Sequence, residues 1–205
     1  MSTRGIIILL FFSFVLFIVS LYAIMRIDPG SKPKPSSNVS ISDAAVGGDF
    51  KLFDTSGNEV TQESLKGKIS LMYFGYGHCP DTCPAALHNI TEALNMLQPA
   101  ELSSLQIFFI TLDPERDNAS YLKKFISGFH SKIIALIGSP EEIAKISKEY
   151  KVYSSKGASS GGEYLIDHSS LIYLMGKDGK YILHLSSSTP PTEISTELKK
   201  LLTSN

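Results

Sequence analysis

The chain is poor in cysteine, with two in 205 residues. That is too few for a disulfide-stapled scaffold or a four-thiolate zinc site, so whatever the two thiols do, they do as one pair. It also lacks an excess of either charge: 19 Lys+Arg stand against 20 Asp+Glu, a formal net charge of −1. With no basic stripe and no Cys/His finger pattern, nothing marks a nucleic-acid partner. No internal repeat is present, and no proline occurs between Pro140 and Pro190. At about 100–200 residues per domain, there is room for one folded domain and some accessory sequence.

What is present begins with an uncharged run of 21 residues, from Gly5 to Met25. A helix of that length, at ~1.5 Å per residue, covers the ~30 Å hydrocarbon core of a bilayer. The run is longer than the apolar part of a secretory signal, and it ends in Ala23-Ile24-Met25-Arg26 rather than at a small-residue cleavage site. It reads as a retained transmembrane helix within an anchor over residues 1–26, with Tyr22 at the interfacial level. Residues 27–42 follow as a linker, in which Asp28-Pro-Gly-Ser-Lys-Pro-Lys-Pro-Ser-Ser-Asn38 has three prolines among polar residues and cannot bury a core. Basic residues flank the run on both sides: Arg4 before it, and Arg26, Lys32 and Lys34 after it. Their count alone keeps the C-terminal part in the cytoplasm, whereas the chemistry below points outside.

From residue 43 to 205 apolar runs of strand length alternate with helical patterns, which argues for an α/β domain. Strands are expected over 50–53, 69–74, 105–111, 133–137, 170–175 and 181–185. Those at 69–74 and 105–110 are apolar almost throughout, as central strands covered on both faces are. Leu87, Ile90, Ala93, Leu94 and Leu97 form one helical stripe over 84–97. Asp117 or Asn118 caps a helix running to Gly128, Ser139-Pro140-Glu141-Glu142 opens another through Tyr150, and Thr189-Pro190-Pro191 opens a last one over 192–202. Gly176 to Lys180 reads as a hairpin turn, and 156–163, rich in Gly and Ser, as a mobile loop. The order suggests a thioredoxin-like sheet, with residues 75–84 at the carboxyl ends of the strands, where open α/β sheets place ligands.

Both cysteines fall in that loop, in Gly75-Tyr-Gly-His-Cys79-Pro-Asp-Thr-Cys83-Pro84. A C-x-x-x-C at a strand-to-helix junction sits where helix N–H groups favour thiolate over thiol. The flanking glycines and prolines suggest a stiff, exposed loop. Two chemistries compete: dithiol/disulfide exchange, and binding of a soft metal, for which two thiolates and an imidazole suit copper. Of the five histidines, His78 reads as loop structure beside Cys79, and His88, His130 and His184 as surface or core. His168, in Tyr164-Leu-Ile-Asp167-His168-Ser169, stands directly before the hairpin, where this layout returns the chain to the thiol loop. Thioredoxin-type oxidoreductases carry a cis-proline there, and here that proline is missing.

Three motifs in this order, the thiol loop, Asp113-Pro-Glu-Arg-Asp117 and Tyr164-Leu-Ile-Asp167-His168-Ser169, resemble the Sco/SenC family of thioredoxin-like copper proteins that serve cytochrome c oxidase assembly. The resemblance spans residues 43–202, and the anchor and linker fit the family's layout. It implies that Cys79, Cys83 and His168 bind one copper ion, as Cu(I) or Cu(II), with Asp167 either steering the His168 ring or capping a turn. It implies a structural role for Asp113 to Asp117, with Arg116 pairing a carboxylate. Gly77 departs from the family pattern, which often has Thr there.

The implied function is a membrane-tethered metallochaperone, a role that requires no catalytic turnover, delivering copper to the CuA centre of cytochrome c oxidase subunit II, with other copper chaperones as further partners. The alternative is a membrane-anchored thiol-disulfide oxidoreductase using Cys79 and Cys83 on a partner's cysteines. A peroxiredoxin-like peroxidase stands further off. No Arg/Ser-rich transit segment precedes the anchor, which favours a bacterial inner membrane with the domain in the periplasm over the mitochondrial inner membrane.

Overall fold

Strand β3, Ile69–Gly75, is buried at all seven positions. Alternate side chains of a strand point to opposite faces. Accordingly Ile69, Leu71 and Tyr73 enter one core cluster, and Met72 and Phe74 the other. A computed structural model describes residues 12–18, 20, 46–157 and 164–203. The chain divides into a unit of residues 1–44 and a unit of residues 45–205.

In the second unit β1 (Lys51–Asp54) and β2 (Glu59–Thr61) form an edge hairpin, followed by a 3-10 turn over Gln62–Leu65 and then β3. Helices α1 (Thr82–Asn95) and α2 (Pro99–Ser103) lead to β4 (Leu105–Thr111), α3 (Ala119–Ile126), β5 (Ile133–Ile137) and α4 (Pro140–Glu149). Short strands β6 (Ser154–Lys156) and β7 (Ile166–His168) precede the hairpin β8 (Leu171–Met175) and β9 (Tyr181–Ser186), and α5 (Pro191–Thr203) ends the fold. The seven-stranded sheet runs β2-β1-β5-β4-β3-β8-β9. β3, β4 and β5 are parallel, while β1, β8 and β9 join antiparallel.

Helices α1, α3 and α5 cover one face, giving Leu87, Ile90, Leu94, Leu122, Ile194 and Leu198 to its core, while α4 covers the other with Ile143 and Ile146. The capping signals act as read. The Asn118 side chain accepts from the Tyr121 N–H at 2.9 Å, and Ser139 and Glu142 close a reciprocal box at 3.2 and 2.7 Å.

Helix α1 starts at Thr82 rather than Pro84, which draws Cys83 into its first turn and into the core. The loop is therefore less exposed than expected, because Cys83 packs with Tyr73 and Leu87 in the same cluster. β2, α2, β6 and β7 were not expected. β6 and β7 form a separate two-stranded sheet in which Ser154 pairs with His168. Of the expected anchor only residues 12–18 and 20 are described, and they are helical and exposed. Among the described residues no helix is long and apolar enough to cross a membrane. The rest of the anchor, the linker over 27–42 and most of the expected loop over 156–163 lie outside the described residues.

Candidate metal centre

The thiol loop leaves the carboxyl end of β3 between two close approaches. A side chain at Gly75 would place its Cβ 2.8 Å from Cys83 Sγ and 2.9 Å from the Phe109 ring, so only glycine lets the sulfur lie against the strand end. The chain then turns back, and the Cys79 N–H donates to the Tyr76 carbonyl at 3.3 Å. Cys79 is half-buried and Cys83 buried, and both are free thiols. The first turn of α1 aims at the outer sulfur, with the Cys83 N–H donating to Cys79 Sγ at 3.4 Å. This is the helix-terminus arrangement that favours a thiolate.

The two sulfurs are electrostatically unequal. The Cys83 thiol donates to Cys79 and, against the cost of burial, holds the Cys79 thiol down at about 5, helped by the Cys83 and Asp81 N–H groups and the Tyr76 hydroxyl. That same hydrogen bond, with burial next, pushes Cys83 up. Of the two, the inner sulfur is the one that holds its proton more firmly.

His168 ends β7, and its Nε2 lies 3.5 Å from Cys83 Sγ across 85 residues of sequence. Its Nδ1 faces the Ser169 carbonyl at 3.1 Å. A carbonyl can only accept, so the proton sits on Nδ1 and the Nε2 lone pair faces the sulfur. Orientation of the ring therefore comes from Ser169, not from Asp167, which is exposed at the mouth of the site. Edges of Tyr76 and Tyr73 meet the imidazole at 6.0 and 6.4 Å between centroids. A cleft of about 210 Å³ opens over these groups, lined by Tyr76, Cys79, Pro80, Leu165, Asp167 and His168. Two sulfurs and one imidazole with a free lone pair form a donor set suited to a soft ion.

The segment from Asp113 to Asp117 braces the two halves of the site. Asp117, buried, accepts from the Gly77 N–H at 2.7 Å, the Thr111 hydroxyl at 2.6 Å and His78 Nδ1 at 2.9 Å. Asp113, also buried, accepts from Tyr164 Oη at 2.6 Å and Arg116 Nε at 2.5 Å. The Arg116 guanidinium stacks 3.5 Å over the Tyr164 ring. From the opposite side the Ile166 N–H donates to Tyr76 Oη at 3.2 Å, which stitches β7 to the thiol loop. His78, Asp113 and Asp117 lie close enough together to suggest a second ion site. However, every carboxylate oxygen there already accepts a hydrogen bond, and Arg116 brings its own positive charge. They form a brace, and His78 belongs to it, stacked on Tyr121 at 4.2 Å.

Sequence reasoning brought Cys79, Cys83 and His168 together and set aside His88, exposed on α1, as well as His130 and His184. It missed Tyr73, Tyr76, Thr111 and Tyr121 as site supports. Two of them were legible as strand-end residues: Tyr76 follows β3 and Thr111 closes β4 at the ligand edge.

Fold and site together define a thioredoxin-like domain whose three-residue-spaced dithiol is faced by a histidine. The chain belongs to the SCO1/SenC family, whose sequence model matches residues 38–203. An SCO2-like protein of Rickettsia felis is 34% identical over 202 residues, covering 97% of this chain and 98% of the relative. The structure of Bradyrhizobium japonicum ScoI with copper bound is 41% identical with a TM-score of 0.72, covering 77% of this chain and 99% of that one. BsSco, described as a member of the Sco family of cytochrome c oxidase assembly proteins and as having a disulfide switch, is 27% identical with a TM-score of 0.63, over 79% of this chain and 96% of that one.

Proposed function

We propose that the chain is a membrane-tethered copper chaperone that holds one ion, as Cu(I) or Cu(II), on Cys79, Cys83 and His168. It passes the ion by ligand exchange to the CuA centre of cytochrome c oxidase subunit II during assembly, and receives it from other copper chaperones. The observation that carries this reading is the approach of His168 Nε2 to 3.5 Å from Cys83 Sγ, with the Cys79 sulfur alongside. Soft thiolates and imidazole favour copper over harder divalent ions. The copper-bound ScoI supports the same ion here, and the Sco family's assembly role supports the recipient. In this reading residues 1–26 anchor, 27–42 link and 43–205 handle the metal. The domain faces the periplasm from a bacterial inner membrane, with the mitochondrial inner membrane as the alternative.

The asymmetry of the two thiols favours one second reading, a dithiol reductase. The Cys79 thiolate would attack a partner disulfide and release one partner thiolate. Cys83, once deprotonated, would attack Cys79 in the mixed disulfide, releasing the second partner thiol and leaving a Cys79–Cys83 disulfide. The disulfide switch of BsSco supports it.

Titration of the reduced protein with Cu(I) tests the leading proposal. One equivalent should bind. Cys79→Ser or Cys83→Ser should weaken binding by more than the roughly 10–100-fold lost when a hydrogen-bond partner of a metal ligand is removed. His168→Ala should chiefly alter the Cu(II) spectrum. Unchanged binding in both serine variants sinks the copper reading. A reductase instead tolerates His168→Ala and loses disulfide reduction with either serine.

A further inference from the structure

Tyr73 lies in the middle of the molecule with no exposed surface, and its hydroxyl makes no hydrogen bond among the described residues. Other tyrosine hydroxyls near the core have partners: Tyr150 donates to Gln62 at 2.8 Å, Tyr164 to Asp113 at 2.6 Å, and Tyr76 accepts from Ile166 at 3.2 Å. A buried hydroxyl without a partner is destabilising, and phenylalanine would fill the same space without that cost. Packing therefore accounts for the ring and leaves the oxygen unexplained.

The surroundings of that oxygen are the metal-site sulfurs. Gly75 has Cys83 Sγ and Tyr73 Cε1 on either side of the space its missing side chain leaves, 2.8 and 3.4 Å from an ideal Cβ. The Tyr73 ring also meets the His168 ring edge-on, at 6.4 Å between centroids. A tyrosine hydroxyl is a donor, and a ligating thiolate is a strong acceptor.

We propose that Tyr73 is a positioning residue whose hydroxyl donates to the Cys83 sulfur when that sulfur ligates the metal. This rests on the copper reading above. Occupancy of the site would thereby engage a side chain in the interior of β3. Donation to a ligating thiolate draws electron density off the sulfur, one of the means by which a protein sets the spectrum and potential of a copper-thiolate centre.

The test compares the wild-type chain with Tyr73→Phe, each loaded with Cu(II). Tyr73→Phe should move the sulfur-to-copper charge-transfer band to longer wavelength and lower the Cu(II)/Cu(I) midpoint potential, while leaving the melting temperature of the apo protein unchanged or raised. Should the phenylalanine variant be too unstable to load, 3-fluorotyrosine at position 73, a stronger donor of the same shape, should move the band to shorter wavelength. A wild-type band that neither variant moves overturns the Tyr73 proposal and leaves the copper reading intact. Absence of any thiolate-to-copper band in the wild type overturns both.

Discussion

The three candidate ligands differ in how much each depends on its neighbours. Cys79 takes its low proton affinity first from a donor that is itself a ligand, the Cys83 thiol, and only secondarily from backbone N–H groups. His168 owes its tautomer to one carbonyl, that of Ser169. Alkylation of the apo protein by iodoacetamide should therefore single out Cys79. Its rate should be flat from neutral pH down to about 6 and fall as pH drops through about 5, because only the thiolate attacks and it is protonated below that point. Cys83, pushed up by donating to Cys79 and by burial, should stay unmodified throughout. In Cys83→Ala the midpoint should climb toward the ordinary thiol value, since the main source of the depression is gone. A Cys79 midpoint near that ordinary value in the wild type would contradict the arrangement.

At the scale of elements, the site is assembled by a loop that contributes no ligand. Asp117 and Asp113 turn the segment after β4 into a clamp between the thiol loop and β7. The ligands themselves were legible, since a C-x-x-x-C at a strand end and a histidine just before a hairpin are visible in one dimension. Cys83's burial was not, because it follows from two extra residues at the start of α1. β6 and β7 were not, because Ser154–Lys156 is polar and exposed at every position and gives no apolar alternation to read. Tyr121 was hidden for another reason: it sits on a helix 44 residues from the carbonyl of Gly77, to which its hydroxyl donates at 3.0 Å.

That contact accounts for a glycine at position 77. A Cβ there would stand 2.6 Å from Tyr121 Cε1 and 3.1 Å from Asp117 Oδ1, so the Tyr121 ring fills the volume a side chain would need. Gly77→Thr should destabilise the fold by about 1–3 kcal/mol, the usual range for overpacking. Much of that loss should vanish when Tyr121→Ala is already present. The measurement is a double-mutant cycle by urea unfolding, and strictly additive effects would refute the compensation.

At the scale of the whole molecule, the parallel strands β3, β4 and β5 make a sheet covered on both faces, with the site at the carboxyl ends of β3 and β4. The core begins close to the start of this unit. Val46 packs against the second cluster and the Gly47 N–H donates to the Glu149 carbonyl at 3.0 Å. No candidate ligand or brace residue comes from residues 1–44. In the proposed reading copper binding and tethering are then separable, and a protein begun at Ala45 should unfold cooperatively and bind one Cu(I) as tightly as the full chain. Delivery should behave differently, because a tether converts an encounter in three dimensions into one at the membrane. If residues 27–42 are the linker proposed above, their 16 residues would reach at most ~3.3–3.6 Å each from the anchor. In cells that express only the truncated chain, assembled oxidase should fall and be partly recovered by overexpression, which restores by concentration what the tether supplied. Full oxidase assembly at normal expression without residues 1–44 would show that the tether is dispensable, and loss of copper binding in the truncated protein would show that the site is not confined to the second unit.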